Sequence, residues 1–391
     1  NNIGTSGNSF DVRTENLAVN STSNSYVADP DTVTIVDSVT ATGVDDMVTG
    51  NIATSDYRVS TGGAITVNDG INGNDVSLIT GEGSITVNQT IIGTQNLILN
   101  AGGAGQSILQ GGGTLVGQNI GLQAANQISA STLNEELSIN ATNLVANAGN
   151  VLIVDTSGGV NIATSVTSTA VGDTVNSNGG DNFRVVANGG NLGIGGSISV
   201  TNGLQLLADN DISQNANITA QTAILKADNN NDGSGALTQT QGTMITADAV
   251  GLSAGDGGIG TAGSDTNAFD IVAGSLTVET SGNANILDTS GGLNVVNTTA
   301  TAGNSLPGET VTGNVVGGSL EIKATGGDTA ALGIQSNIQI GTSGELVADD
   351  DIVVGGNITA ANSLVLKADN DQNDNGGISR DPQNPGVISA T

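Results

Sequence analysis

The residues best suited to chemistry in this chain are clustered carboxylates and amides. The loop DNNNDGSG (228–235) sets Asp228, Asn230 and Asp232 at alternate positions, followed by Gly233. Alternating hard oxygen donors with a glycine at the sharp turn are what a calcium loop requires. The loop DNDQNDNGG (369–377) offers Asp369, Asp371, Asn373 and Asp374 in the same role. Neither loop carries the bidentate Glu expected at the twelfth position, which after Asp228 is Gln239. Two readings stay open: a calcium site on those seven residues, or an exposed acidic turn kept soluble by Asp and Asn. Calcium is the one cofactor these residues suggest, and no cofactor is required. Lys226 and Lys367 immediately precede the loops, whereas the first copy has Asn100 there and no acidic loop. A local Lys–Asp pair accounts for that coincidence without a metal.

Other chemistry is sparsely provided. The chain has no His and no Cys, so nucleophilic triads and thiolate metal sites are out. Neighbouring carboxylates are the raw material of a polysaccharide hydrolase. The run Asp349, Asp350, Asp351 instead reads as a solvated face, and Arg13, Arg58, Arg184 and Arg380 are scattered. Asp155 and Asp288 in the two DTSGG turns, and Asp29 in the matching DPDT, read as Asx-turn residues. Asn119, Asn126 and Asn161 read as members of stacked amide ladders at corners.

The elements that position these residues are written three times. IVDTSGGVNI (153–162) returns as ILDTSGGLNV (286–295), and NITAQTAILKADN (217–229) as NITAANSLVLKADN (357–370). A weaker copy stands at the front, where NIGTSGNSFDV (2–12) matches GIGTAGSDTNAFDI (258–271). Phe10, Leu137 and Phe269 are equivalent landmarks, and they set three copies of nearly equal length. Repetition on this scale points to a solenoid.

Within each copy apolar residues recur every six positions: Ile85, Ile91, Leu97; Ile212, Ile218, Ile224; Ile352, Ile358, Leu364. A helix would ask for spacings of three and four. Short strands with Gly, Asn and Asp at the corners suit the triangular turn of a parallel β-helix. Leu78 to Leu97 and Leu206 to Leu225 each read as one short turn, and Leu225 to Leu252 as a longer one. The expectation is an all-β chain, one continuous β-helix of about 19–27 residues per turn. It is built of three long repeats, approximately 1–127, 128–258 and 259–391.

Composition agrees. Gly is 59 residues and aromatics are 1%, so an aromatic-rich globular core is missing, while 36% apolar content in alternating runs argues against disorder. Seven basic residues against 37 acidic give a net charge of −30, which opposes nucleic acid and anionic lipid as partners. No stretch approaches a membrane span. No signal peptide stands at Asn1, so a targeting segment is expected outside this chain. The copies start and stop mid-pattern, which suggests a segment of a longer protein, or a unit that stacks end to end.

The phrases GNITA (356–360), LVLKADND (364–371), GGSISVTNGLQLLADNDISQ (195–214) and GGLNVVNTTAT (291–301) resemble the repeat region of filamentous haemagglutinin-like exoproteins, the large bacterial two-partner secretion adhesins. The resemblance covers nearly the whole chain through degenerate motifs. It implies a right-handed parallel β-helix in a secreted, extracellular or cell-surface setting. The expected function is a non-catalytic shaft or filament segment of a surface adhesin, with other copies of itself as partners, end to end or laterally. The alternatives are an adhesin module that binds cell-surface glycans and, behind it, a polysaccharide-degrading β-helix enzyme.

Overall fold

The computed structural model describes residues 1–41, 46–131, 135–168, 172–261, 267–301, 306–373 and 375–390. The chain is all-β, with strands stacked in parallel register as in a parallel β-helix. It divides into two compact units, Asn1–Asn188 and Gly189–Thr391.

In the first unit a column of inward side chains runs Val27, Val59, Leu78, Leu99, Leu122, each one turn above the last. A second runs Val33, Ile65, Ile85, Ile108, Ile128. All ten are buried. In the second unit the columns Leu192–Ile212–Leu237–Ile259 and Ile198–Ile218–Ile245–Ile271 repeat the scheme. Branched aliphatic side chains fill such a column because the pleat holds successive copies one strand spacing apart. Each fully buried Leu, Ile or Val stabilises by about 1.5–3 kcal/mol. Ladder hydrogen bonds along each face satisfy the backbone between turns.

Two details of the expected turn are corrected. Leu78 pairs with Leu99 and not Leu97, so that turn is longer than the sequence spacing implied. Ile71 already pairs with Ile91, one residue further on than that spacing, and a shift of register between Gly73 and Asp75 adds one more. The expected upper bound on turn length also fails. Val27 pairs with Val59, Ile153 with Val185 and Ile286 with Ile322, each a wider step than Leu225 to Leu252. Each of these long turns sends an antiparallel hairpin out of the coil. The first joins Ser38–Ala41 to Asp46–Thr49, the second Val166–Thr167 to Thr174–Val175, and the third Thr298–Ala300 to Thr310–Thr312.

Candidate functional site: acidic corners and covering hairpins

The two acidic loops have one geometry. Asp228 and Asn231 in the first, Asp369 and Gln372 in the second, sit at positive φ of 61°, 56°, 55° and 60°. Asn and Asp tolerate this region better than most residues, which is why the loops are built of them. Asp228 N donates to Asn210 O (3.3 Å) and Asp369 N to Asp350 O (3.3 Å), so each loop stands on the corner one turn below. Asp211 and Asp351 in those lower corners accept the amides of Ala236 (2.9 Å) and Gly377 (2.8 Å).

The predicted calcium ligands are brought together within each loop, where they bond to the loop itself, and Asn373 Nδ2 also donates to Asp328 Oδ1 outside it. Asp228 Oδ1 accepts Gly233 N (3.1 Å), and Asp232 Oδ1 accepts Ser234 N (2.9 Å) and Ser234 Oγ (2.5 Å). Asn230 Nδ2 donates to Asp232 Oδ2 (3.1 Å). In the other loop Asp369 Oδ1 accepts Asn373 N (2.9 Å), and Asn373 Nδ2 donates to Asp371 Oδ2 (2.9 Å). Asp374 lies outside the described residues. Gln239, at the twelfth position, is committed elsewhere: its amide donates to Asp270 O (3.0 Å) and its carbonyl accepts Asp270 N (2.5 Å). Burial raises the Asp228 carboxyl, while the donors of Ser234 and Asn230 lower that of Asp232.

Lys367 Nζ donates to Asn370 Oδ1 (2.5 Å), and Asn370 Nδ2 to Asp349 Oδ1 (3.0 Å). The solvated-face reading of 349–351 therefore fails at Asp349, which is 7% exposed. Its Oδ2 accepts Gly326 N (3.0 Å) and Gly327 N (3.4 Å) from the turn below. Burial alone would raise this carboxyl, but those hydrogen bonds and the nearby Lys367 carry it below its ordinary value.

The DTSGG aspartates form Asx turns and also reach between turns. Asp155 and Asp288 are 0% exposed. Asp155 accepts Ser157 N (3.2 Å) and Gly159 N (3.1 Å) in its own corner and Ala141 N (3.1 Å) from a neighbouring strand. Asp288 accepts Ser290 N (3.3 Å) and Ala273 N (3.0 Å), and Asp29 accepts Asp31 N (2.9 Å) and Thr14 N (2.9 Å). Burial pushes the Asp288 carboxyl up against the hydrogen bonds that hold it down. The expected amide ladder exists as Asp75–Asn96–Asn119–Asn143–Asn161, with Nδ2 to Oδ1 contacts of 2.8, 2.9, 2.8 and 3.1 Å. Asn126 stands outside it and donates to Ser107 Oγ (3.2 Å).

The sequence reading missed the hairpins, which stand at one place in each repeat. A buried Asn anchors the foot of each: Asn51, Asn178 and Asn314. Their Oδ1 atoms accept Val19 N (3.1 Å), Ala146 N (3.0 Å) and Val278 N (3.0 Å). Their Nδ2 atoms donate to Val36 O (2.9 Å), Ala163 O (2.8 Å) and Val296 O (2.8 Å). The signal was there in SVTATGVDDMVTGN (38–51), SVTSTAVGDTVNSN (165–178) and TTATAGNSLPGETVTGN (298–314), three Thr/Val-rich stretches each ending on Asn.

The second hairpin lies over the outer face of parallel strands. Val166 and Val175 pack with Ile98 and Val145, and Gly121 is in register between those two. A Cβ at Gly121 would stand 3.2 Å from Val175 Cγ2. Asp173 accepts from Ser77 Oγ (2.8 Å) and Arg58 Nε (3.0 Å), one and two strands beyond Ile98 respectively. The third hairpin repeats the arrangement over Gly251, where a Cβ would stand 3.1 Å from Val311 Cγ2. Neutral ties serve there: Thr277 Oγ1 to Thr299 Oγ1 (3.0 Å), and Gln205 Nε2 to Thr301 Oγ1 and Pro307 O.

Tyr26, Tyr57, Phe183 and Phe269 are core residues, and Phe10 alone of the five aromatics is exposed. Among the described residues no three acidic side chains converge as a metal-holding group. Comparison of the chain with protein-family models, with curated proteins and with solved structures finds no match to any of them.

Proposed function

We propose that this chain is a non-catalytic structural segment, a length of shaft in a secreted bacterial surface adhesin or fibre of the filamentous haemagglutinin-like kind. The observation that carries the reading is where the polar side chains spend their hydrogen bonds. Asp29, Asp155 and Asp288, the three hairpin Asn residues and the Asp75–Asn161 ladder all bond one stretch of backbone or side chain to the next turn. A catalyst holds polar groups ready for a substrate, whereas these groups are saturated by the coil. Amides in a row also polarise one another, which strengthens a repeat along its stacking direction. Glycan binding draws on exposed aromatic platforms, and four of the five rings here are in the core.

The test has two arms. Antibodies raised against this chain should label the outside of intact source cells. The purified chain should release no reducing ends from neutral or uronate polysaccharides. Labelling only after lysis, or measurable cleavage, would remove the reading.

A further inference from the structure

The three anchoring asparagines differ in the residue that follows them. Asn51 precedes Ile52 and Asn314 precedes Val315, whereas Asn178 precedes Gly179. An asparagine side chain is an amide that the next backbone nitrogen can attack. That nitrogen bonds to Cγ, ammonia leaves, and a five-membered succinimide remains. Water then opens the ring at either carbonyl and gives aspartate or isoaspartate, so one water is consumed and one ammonia released. A β-branched residue after the asparagine crowds the attack, and a glycine leaves it open. Of the three anchors, Asn178 alone carries the reactive pair.

The fold holds that pair still. Asn178 is 6% exposed, and its amide is bonded at both ends, Oδ1 accepting Ala146 N (3.0 Å) and Nδ2 donating to Ala163 O (2.8 Å). Gly179 is in register with Asn147, and its carbonyl accepts Ala148 N (3.2 Å). Ala163 packs against the cluster that Val166 and Val175 form with Ile98 and Val145, so one side of the clamp on Asn178 belongs to the second hairpin. We propose that Asn178 is a deamidation site gated by the second hairpin, and that its modification releases the hairpin for good. When the hairpin lifts, Ala163 lifts with it, the amide of Asn178 comes free, and Gly179 N attacks. The product no longer fits the clamp. An aspartate at 178 turns an oxygen, with no hydrogen to donate, toward Ala163 O in a buried corner. An isoaspartate adds a carbon to the main chain and carries Gly179 out of register with Asn147. Asn51 and Asn314 are held by the same two bonds and lack the glycine, so the first and third hairpins have no such exit.

The test ages the purified chain in warm, mildly alkaline buffer and reads residue 178 by peptide mass and by isoaspartate labelling. The same chain unfolded in urea is the reference. Asn178 should convert readily in urea and far more slowly in the native chain. Val175→Asp, which opens the hairpin, should speed conversion of folded Asn178 about a hundredfold. Arg58→Met is the milder variant, and it should raise conversion at Asn178 by the factor by which it raises hydrogen exchange at Ser168 N in the same hairpin, roughly 1.4- to 5-fold. Asn178→Asp, the product made in advance, should speed exchange at Ser168 N and leave the third hairpin as it was. Native Asn178 converting as fast as in urea overturns the gate, and so does conversion that fails to follow Ser168 exchange across the two variants. Unchanged Ser168 exchange in Asn178→Asp overturns the release.

Discussion

The hairpin at 38–49 and the hairpin at 166–175 leave the coil from the same corner, behind the same stapling Asp and over the same anchoring Asn. They differ in what lies beneath. Under the second, the outward residues of three successive strands are Ile98, Gly121 and Val145. Outward positions on a half-solvated face are normally polar, and a glycine there leaves a gap in the row. With the hairpin in place the gap receives Val166 and Val175, and the apolar flanks leave water. Under the first, Ala18 is the outward residue beside the anchor, and it lines a groove together with Val39, Met47 and Val48. The hairpin itself is therefore a constant of the repeat, and in the second it is buried on the column beneath.

The sharpest way to break this comparison is to put the same charge under both hairpins. Val175→Asp buries a carboxylate against Ile98 and Val145 with no partner, and should lower the opening free energy of the second hairpin by about 3 kcal/mol or more. Val48→Asp should change the first hairpin by less than about 0.5 kcal/mol. Hydrogen exchange reads both sites; at the second, Ser168 N, bonded to Asp173 O at 2.8 Å, is the reporter. Equal effects at the two sites would mean that the seat contributes nothing and that the anchor alone holds the hairpin.

The coil was legible because its inward positions obey one rule: Ile85, Ile91 and Leu97 are six apart and all 0% exposed. The stapling aspartates were legible as turns, because an Asx turn is a local event. Their second hydrogen bond, to an amide in a neighbouring strand, follows from stacking and has no local signature. The hairpins were missed for a related reason. Ile98 and Gln205 alternate with inward leucines and read as solvent-facing, yet they are 1% and 0% exposed. The residues that cover them, Val166 and Val175 over the one and Thr301 and Pro307 over the other, come much later in the chain. The slip of Leu78 onto Leu97 has in part the same origin: Gly73 and Asp75 flank an irregularity that only pairing reveals, and it adds one residue to a turn that is already longer at Ile71–Ile91. The acidic loops look alike in sequence and prove alike in backbone, down to matched positive φ angles.

A smaller perturbation asks whether the glycine gap is required. Gly121→Val and Gly251→Val would each push a side chain into a hairpin whose nearest atoms already stand 3.2 and 3.1 Å from the Cβ position. Overpacking of this kind costs about 1–3 kcal/mol and should appear as faster exchange in the second and third hairpins respectively. Ala18→Val, which gives the first seat the side chain that Val145 gives the second, meets an open groove and should cost under about 0.5 kcal/mol. If Gly121→Val leaves the second hairpin as protected as before, the hairpin rides on its strands loosely and the seat is a contact of convenience.

The smallest expected effect separates the second hairpin from the third. Asp173 ties the second to Arg58 and Ser77 through an ion pair whose side chains are 21% and 16% exposed, whereas Gln205 ties the third through neutral hydrogen bonds. Partly exposed ion pairs contribute about 0.2–1 kcal/mol and are screened by salt, while neutral amide bonds are not. Arg58→Met keeps much of the stem that covers the strand and removes the charge. It should speed exchange at Ser168 by the factor that about 0.2–1 kcal/mol allows, roughly 1.4- to 5-fold. Raising salt from about 0.05 to 0.5 M should do part of the same to the native second hairpin and nothing to the third. A third hairpin that loosens with salt as much as the second would place the salt effect in the acidic coil as a whole, and the Arg58 tie would lose its claim to hold the hairpin down.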